Sequence, residues 1–304
     1  MKVPRTAAVL SVVAIVLIII YSGYRMDSAV ASNAPIRVPF TPGTAYRDVT
    51  YCNSQTLDLY VPTQASERSM PLAIYVHGGG LNSGDKTDIN PTFLKELASA
   101  GYAVASVNYR LAPMYKFPAQ IEDVKCAIRY LRDHAQAYGL NASEFFVFGT
   151  SSGGELAALA ALTGGHSAFD VGPYLNESSS VVAAVDMFGP ANLTEAAGYS
   201  PPDTFRDFGD NLTAEVLASP THFVAPHAPP ILIIHGLNDT QVPESQSVEL
   251  YDDLTAAGDQ TQLVLVQNMG HMFVQVGPNP IAPSVAQLGQ DVVAFFEQYT
   301  RGGS

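Results

Sequence analysis

Residues 145–159 of this chain read Phe-Phe-Val-Phe-Gly-Thr-Ser-Ser-Gly-Gly-Glu-Leu-Ala-Ala-Leu, and this stretch decides the fold. An apolar run leads into Gly-Thr-Ser-Ser-Gly at 149–153, and an alanine-rich segment follows. A glycine-x-serine-x-glycine sequence between a buried strand and a helix is typical of a nucleophile elbow, in which the turn is too tight for side chains larger than glycine beside the serine. The alternative interpretation is a glycine-rich turn with an incidental serine, but such a turn would not require a buried strand before it and a helix after it. We therefore predict that Ser151 is a nucleophile.

The chain offers one clear candidate for the base that would activate this serine. A free hydroxyl is a weak nucleophile and needs a base within hydrogen-bond reach and an acid that orients the base. On this kind of elbow the chain order is serine, then Asp or Glu, then histidine. His271 is the only histidine after residue 235, and it follows a predicted strand. We predict that His271 is the base.

The predicted acid is Asp239, which stands in the loop after the apolar run 231–235. Asp252 and Asp253 also precede the predicted base, but they fall on a predicted helix and are interpreted as solvated surface residues. Asp186 lies within a predicted strand and is the weaker alternative. His235, at the end of the apolar run, is interpreted as bracing the loop.

A third element is His-Gly-Gly-Gly at 77–80, directly after the apolar run 72–76. Acyl transfer creates an oxyanion that requires preorganised N–H donors, and glycines allow the backbone to approach that oxygen closely. The predicted donors are the backbone N–H groups of Gly79, Gly80 and Ser152. A flexible turn is the alternative for this segment, but its place before the elbow favours an oxyanion hole. His77 itself is interpreted as structural.

Strand and helix patterns alternate along residues 45–301, which predicts an α/β domain with a mostly parallel sheet covered by helices on both faces. Several predicted strands are continuous apolar runs, as expected when both faces are buried. Helices are predicted at Pro91–Ala100, Pro118–Tyr138, Ser152–Leu162, Pro243–Ala257 and Ser284–Thr300. The eight predicted strands are Tyr46–Tyr51, Thr56–Val61, Leu72–His77, Ala103–Tyr109, Phe145–Gly149, Val181–Phe188, Ile231–His235 and Gln262–Gln267.

Residues 191–230 interrupt this alternation. The segment is rich in Pro, Gly, Asn and His, and it separates two predicted strands. An insertion there would lie over the carboxyl ends of the strands, where ligands bind in open α/β sheets. We predict a small cap; an ordinary surface loop is the alternative.

The amino-terminal residues 1–26 are predicted to be a signal peptide or a membrane anchor, followed by a linker at 27–44. Residues 6–24 carry no charge, and Lys2 and Arg5 precede them. This length fits an uncleaved anchor better than the shorter apolar region of a cleaved signal. Either interpretation predicts an extracytoplasmic domain, secreted or membrane-anchored through residues 6–24.

The net charge and the cysteine content limit which binding partners and which cellular compartment are expected. The net charge is −13, and such a surface repels phosphate backbones, so no nucleic-acid partner is expected. An oxidising compartment permits a disulfide between Cys52 and Cys126, but two buried free thiols are the alternative. No Cys/His cluster has ligand spacing, so no metal is predicted.

The chain resembles hormone-sensitive-lipase-like carboxylesterases in three places. These are the His-Gly-Gly-Gly motif, Asn-Tyr-Arg-Leu-Ala-Pro at 108–113, and Phe-Pro-Ala-Gln-Ile-Glu-Asp-Val at 117–124. Leu-Asp-Leu-Tyr-Val-Pro at 57–62 and Gly-Asp-Lys at 84–86 look more like the bifunctional xylan-acetyl and feruloyl esterase group. The resemblance covers roughly residues 45–300. It implies an eight-stranded α/β-hydrolase core and ester hydrolysis without a cofactor.

Two departures concern the substrate. The elbow carries Thr150 and Ser152 where the hormone-sensitive-lipase-like branch usually has Asp and Ala, and the acid loop reads Asn-Asp-Thr-Gln-Val-Pro at 238–243 instead of Asp-Pro-Leu-x-Asp. The expected function is hydrolysis of small-molecule esters with short-to-medium acyl or aryl groups. An amidase or peptidase on the same triad is the alternative, and a non-catalytic binding protein on this scaffold is a more distant one.

Overall fold

The computed structural model describes residues 36–40, 43–63, 68–165, 169–194 and 212–300. The predicted signal or anchor at 1–26 lies outside these residues, as do most of the predicted linker and residues 195–211 of the predicted cap. Within the described residues, no helix is both long and apolar enough for a membrane crossing.

A nine-stranded sheet forms the centre of the described chain, in the order β1-β2-β3-β5-β4-β6-β7-β8-β9. The first three strands join by antiparallel pairing, and β3 pairs antiparallel with β5. The pairs from β5 to β9 are all parallel, which confirms the predicted α/β class. The strands are β1 Ile36–Phe40, β2 Gly43–Thr50, β3 Thr56–Pro62, β4 Met70–Val76, β5 Ala103–Val107, β6 Leu140–Thr150, β7 Ala184–Met187, β8 Ile231–Gly236 and β9 Thr261–Val266.

All eight predicted strands occur in the sheet, and β1 is an addition. It lies within residues 27–44, so the prediction that this whole segment is a linker was wrong. β1 pairs antiparallel with β2 from Ile36 opposite Arg47 to Phe40 opposite Gly43. Pro39 removes one backbone donor, which an edge strand tolerates because one of its sides has no partner strand.

Helices cover both faces of the sheet because alternate side chains of the central strands point to opposite sides. In β4, Leu72, Ile74 and Val76 belong to one apolar cluster, whereas Ala73 and Tyr75 belong to the other. Helices α2, α4 and α6 contribute to the first cluster, and α1 and α7 contribute to the second. The predicted helix 118–138 is divided into α2 and α3 at His134. The helices are α1 Pro91–Ser99, α2 Ala119–Asp133, α3 Ala135–Tyr138, α4 Ser152–Leu162, α5 Leu212–Ala218, α6 Glu244–Ala257 and α7 Val285–Glu297.

A disulfide joins Cys52 and Cys126, which settles the pairing that the sequence left open. Cys52 lies in a 3₁₀ turn between β2 and β3, and Cys126 lies on α2. Their Cα atoms are 6.2 Å apart, and 74 positions separate them in the chain. The bond therefore fastens the antiparallel edge of the sheet to a helix that packs on its parallel part.

Replacing both cysteines with serine is expected to lower the free energy of unfolding by about 2–5 kcal/mol, because the bond restricts a long loop of the unfolded chain. Urea unfolding of oxidised wild type, reduced wild type and the double variant measures the effect. The reduced wild type is the matched control, since it keeps both sulfur atoms. Equal unfolding midpoints for all three proteins would contradict the prediction.

Candidate active site

Four loops at the carboxyl ends of parallel strands carry the predicted site residues. β4 leads to the segment 77–80, β6 to Ser151, β8 to Asp239 and β9 to His271. The carboxyl ends of neighbouring parallel strands lie along the same end of the sheet, so residues that are far apart in sequence meet there. The topology thus brings the predicted nucleophile, acid, base and oxyanion loop to the same edge.

Ser151 lies in a sharp turn between β6 and α4. Its φ of 55° and ψ of −127° fall in a region that non-glycine residues rarely adopt, as a nucleophile elbow requires. A side chain at Gly149 would clash with the Gly153 carbonyl, and one at Gly153 would clash with the Val76 carbonyl. The Ser151 N–H donates to the Met187 carbonyl at 2.9 Å, which ties the turn to β7.

The structure brings Ser151, His271 and Asp239 together in one hydrogen-bonded chain. His271 Nε2 is 2.9 Å from Ser151 Oγ, and His271 Nδ1 is 2.6 Å from Asp239 Oδ2. Because a carboxylate only accepts hydrogen bonds, Nδ1 carries the imidazole proton and Nε2 is free to accept the serine proton. The alternative acids are elsewhere: Asp252 is exposed on α6, and buried Asp186 binds a different loop.

The Asp239 side chain is fully buried and is held by its own loop. Its Oδ1 accepts hydrogen bonds from the N–H groups of Gln241 at 2.8 Å and Val242 at 3.0 Å. Burial alone would raise the pKa of Asp239, but hydrogen bonds with His235 and His271 hold the pKa well below its ordinary value. The acid therefore remains a carboxylate opposite the imidazole.

His235 closes the acid loop from the inside and is fully buried. Its Nε2 donates to the Val242 carbonyl at 2.9 Å and lies 3.5 Å from Asp239 Oδ2. Since the carbonyl can only accept, Nδ1 accepts from the Ser247 hydroxyl at 2.7 Å. These contacts agree with the bracing role that the sequence indicated.

The glycine segment 77–80 packs directly against the elbow. A Cβ added to Gly78 would lie 2.8 Å from the Thr150 carbonyl oxygen and 3.1 Å from Ser151 Cβ. Gly79 and Gly80 have φ values of 115° and 60°, which suit glycine because it lacks the Cβ. Among the loop hydrogen bonds of the described chain, none uses the N–H groups of Gly79, Gly80 or Ser152.

His77 supports this segment from its buried side. Its ring stacks on Tyr109 with centroids 4.2 Å apart, and the Tyr109 hydroxyl donates to the His77 carbonyl at 2.9 Å. Burial lowers the pKa of His77, so the ring is neutral at pH 7. These contacts fit the structural role that the sequence indicated for this histidine.

An aromatic backing of His271 was not apparent in the sequence. The Phe188 ring meets the His271 imidazole edge to face at 5.0 Å, and the Phe273 ring packs on Phe188 at 5.1 Å. Phe188 has a φ of 48° and donates its N–H to the Ile234 carbonyl at 2.8 Å. No sequence signal marks this contact, because it depends on how two distant loops pack.

A second unexpected feature is a pair of buried carboxyl groups: Glu155 lies one helical turn beyond the elbow, and Asp186 lies on β7. Asp186 Oδ1 accepts from the Gly189 N–H at 2.9 Å, but Asp186 Oδ2 and both Glu155 carboxyl oxygens have no partner among the described residues. Burial, opposed by the Gly189 hydrogen bond, raises the pKa of Asp186 to about 6. Burial and the neighbouring Asp186 charge raise the pKa of Glu155 well above its ordinary value.

These raised pKa values predict a pH-dependent loss of stability. A carboxyl whose folded pKa lies above its unfolded pKa contributes its full stability below the unfolded pKa and loses it as the pH rises through the folded pKa. For Asp186, the interval from 3.8 to about 6 corresponds to roughly 3 kcal/mol at about 1.4 kcal/mol per pKa unit. Asp186→Asn cannot titrate, so its melting temperature relative to wild type should increase between pH 4 and pH 7.

Differential scanning calorimetry across this pH range measures that difference. Asp253→Asn, at an exposed position of α6, is the control and should follow wild type at every pH. A constant difference between Asp186→Asn and wild type from pH 4 to pH 7 would contradict the prediction.

The arrangement can activate a hydroxyl, hold an anionic oxygen and move a proton, which together are the requirements of acyl transfer. Within the described residues, no group of three or more His, Cys, Asp or Glu side chains is placed to hold a metal ion.

Known proteins resemble this chain at several levels. The BD-FAE family model matches residues 57–254. Esterase LipC of Mycobacterium tuberculosis is 29% identical over 303 residues, covering 88% of this chain and 74% of LipC. Esterase LipQ of the same organism is 30% identical over 246 residues, covering 78% of this chain. The aligned part is 56% of LipQ, so the chain spans little more than half of that relative.

Solved structures also superpose on the described fold. A truncated carbohydrate esterase from gut microbiota is 29% identical with a TM-score of 0.74, covering 85% of this chain and 97% of that one. Esterase Est2 of Thermogutta terrifontis, solved with propionate, is 22% identical with a TM-score of 0.67, covering 84% of this chain and 93% of that one. At this identity, the similarity to Est2 shows a shared fold and no more.

Proposed function

The chain belongs to the BD-FAE family of α/β-hydrolases and is a carboxylic ester hydrolase, and on that premise we propose that it hydrolyses esters with short-to-medium acyl or aryl groups through Ser151, His271 and Asp239. The observation that carries the proposal is the continuous hydrogen-bonded chain from carboxylate through imidazole to the serine on the elbow. This geometry supports acyl transfer, because each group already lies within reach of the proton it would exchange.

The first step is attack on the ester carbonyl. His271 Nε2 accepts the Ser151 proton as Oγ bonds to the carbonyl carbon, and the carbonyl oxygen becomes an oxyanion. Asp239 holds the imidazole with its proton on Nδ1 and stabilises the imidazolium that forms. The N–H groups of Gly79, Gly80 and Ser152 are the proposed donors to the oxyanion.

The second step separates alcohol and acid. The His271 imidazolium gives its proton to the leaving alcohol oxygen as the carbon–oxygen bond breaks, which leaves an acyl group on Ser151. Water then gives a proton to His271 and attacks the acyl carbonyl. Collapse of this second intermediate returns the proton to Ser151 and releases the acid.

The length of one segment is the basis of the proposed acyl range, and the relatives support the ester class. Residues 191–230 lie between β7 and β8 in the chain, and we propose that this segment forms a short cap over the carboxyl ends of the strands. A short cap favours small and medium acyl groups. The relatives LipC and LipQ are named esterases, which agrees with cleavage of carboxylic esters.

We also propose an extracytoplasmic location, secreted or attached to the membrane through residues 6–24. The disulfide between Cys52 and Cys126 supports it, because such bonds persist mainly in oxidising compartments. The uncharged run at 6–24 agrees with export or anchoring.

Hydrolysis of p-nitrophenyl esters from acetate to palmitate tests the acyl range. We expect kcat/KM to be highest for short and medium chains and to fall towards palmitate. Faster hydrolysis of palmitate than of butyrate would overturn the proposed range while leaving the esterase activity itself intact.

A further inference from the structure

Four exposed apolar side chains lie on the loops that carry the acid and the base. Leu237, Met272, Val274 and Val276 are between 41% and 58% exposed, and we refer to them as the apolar rim. Leu237 follows β8, and the other three follow β9. Exposed apolar groups that cluster at one place commonly mark a binding surface. The mechanism described above makes no use of them.

The two loops are joined, so the rim is one surface. The Asn238 N–H donates to the Met269 carbonyl at 2.9 Å, and the Gly270 N–H donates to the Val274 carbonyl at 2.8 Å. A Cβ added to Gly270 would lie 3.1 Å from Val276 Cγ2 and 3.4 Å from the Asn238 carbonyl oxygen. The acid loop and the base loop are therefore in direct contact beside the triad.

Aromatic packing in the protein interior also holds the apolar rim in place. Phe273 packs against Phe93 at 5.3 Å and against Phe188 at 5.1 Å, and Phe188 in turn contacts His271. Met272 lies between His271 and this anchor with a φ of 56°. Its side chain is therefore presented at the surface next to the base.

The chemistry decides which end of the ester meets the rim. His271 Nε2 must reach the leaving alcohol oxygen to protonate it. The carbonyl oxygen must instead face the N–H groups of Gly79, Gly80 and Ser152. The alcohol portion of the ester consequently extends along the loops of the base and acid, whereas the oxyanion donors lie on the loops after β4 and β6.

We propose that the apolar rim binds the alcohol portion of the substrate and selects esters of apolar alcohols, alkyl or aryl, over esters of sugars. This inference rests on the proposed function and adds the chemical class of its leaving group. Apolar side chains gain contact area from an alkyl or aryl group. Sugar hydroxyls placed against them would lose hydrogen bonds to water without finding new ones.

Two ester series separate the alcohol from the acyl end. Ethyl, butyl and hexyl acetate vary the alcohol, and ethyl acetate, butanoate and hexanoate vary the acyl group. Because kcat/KM covers steps only up to acyl-enzyme formation, the alcohol series reports the leaving-group contact. We expect wild type to prefer hexyl over ethyl acetate, and an acetylated xyloside to be hydrolysed more slowly than hexyl acetate.

The test variant is Met272→Asn combined with Val274→Thr. Asparagine tolerates the positive φ at 272, so the change removes apolar surface without new backbone strain. The hexyl-to-ethyl ratio in the alcohol series should fall by about tenfold, a value within the range for lost apolar contacts. The ratio in the acyl series should stay unchanged.

Leu175→Asn combined with Val171→Thr is the matched control. Both residues are exposed apolar positions in the loop between α4 and β7, which carries none of the proposed site residues. This variant should keep both wild-type ratios.

An unchanged alcohol ratio in the rim variant, a fall in the acyl ratio instead, or faster hydrolysis of the xyloside would each overturn the role of the rim and leave the esterase intact. Failure to hydrolyse any ester would overturn the proposed function and the role of the rim together.

Discussion

Replacing Ser151 with alanine is expected to lower the kcat of ester hydrolysis by a factor on the order of 10⁶, the scale reported for loss of a triad serine. Alanine has no oxygen to form the acyl-enzyme, and His271 then has no hydroxyl to activate. The remaining activity would come from oxyanion stabilisation and substrate binding alone. Initial rates with p-nitrophenyl acetate measure the loss.

The elbow provides a strict control for this variant. Serine and alanine experience similar strain at the φ of 55°, so the melting temperature should change little. A fluorophosphonate probe should label wild type and leave Ser151→Ala unlabelled, which separates loss of the nucleophile from loss of folding. Labelling of the folded variant at wild-type rates, or activity within tenfold of wild type, would mean that another residue is the nucleophile.

Replacing Asp239 with asparagine is expected to lower kcat by about 10⁴-fold. The asparagine oxygen can still accept from the N–H groups of Gln241 and Val242, so the loop should keep its shape. However, the amide nitrogen would then face His271 and favour the tautomer with its proton on Nε2. That proton would occupy the position that must accept the Ser151 proton.

Asp252→Asn is the matched control, because it makes the same chemical change at an exposed position on α6. Its kcat and KM should equal those of wild type. Saturation kinetics on one acetate ester should show the loss for Asp239→Asn mainly in kcat. Equal activity of the two variants would show that the acid of the triad lies elsewhere.

The central strands of the fold were readable because they are mostly apolar and are buried on both faces. The edge strand β1 was missed because it is short, contains Pro39 and follows a segment that resembles a linker. Chain order and strand position were sufficient to indicate Ser151, Asp239 and His271. Their proximity needed only the rule that parallel strands end at one edge of a sheet.

Other features of the site depend on packing that sequence does not express. Phe188 contacts His271 only because two loops 83 positions apart meet at one corner. Glu155 falls in an alanine-rich helix, where its sequence context indicates nothing about burial. Its raised pKa arises from burial and from the charge of Asp186 on β7. The disulfide likewise needed the distance between α2 and the turn after β2.

Ser151 and its proposed base, His271, stand 120 positions apart in the chain. During synthesis the elbow therefore emerges well before its partner, and the nucleophile has no base until the loop after β9 has been made. A chain that terminates after the elbow but before residue 271 would contain Ser151 and the glycine segment without the proposed base. On the proposed mechanism, ester hydrolysis therefore cannot begin before residue 271 has been translated.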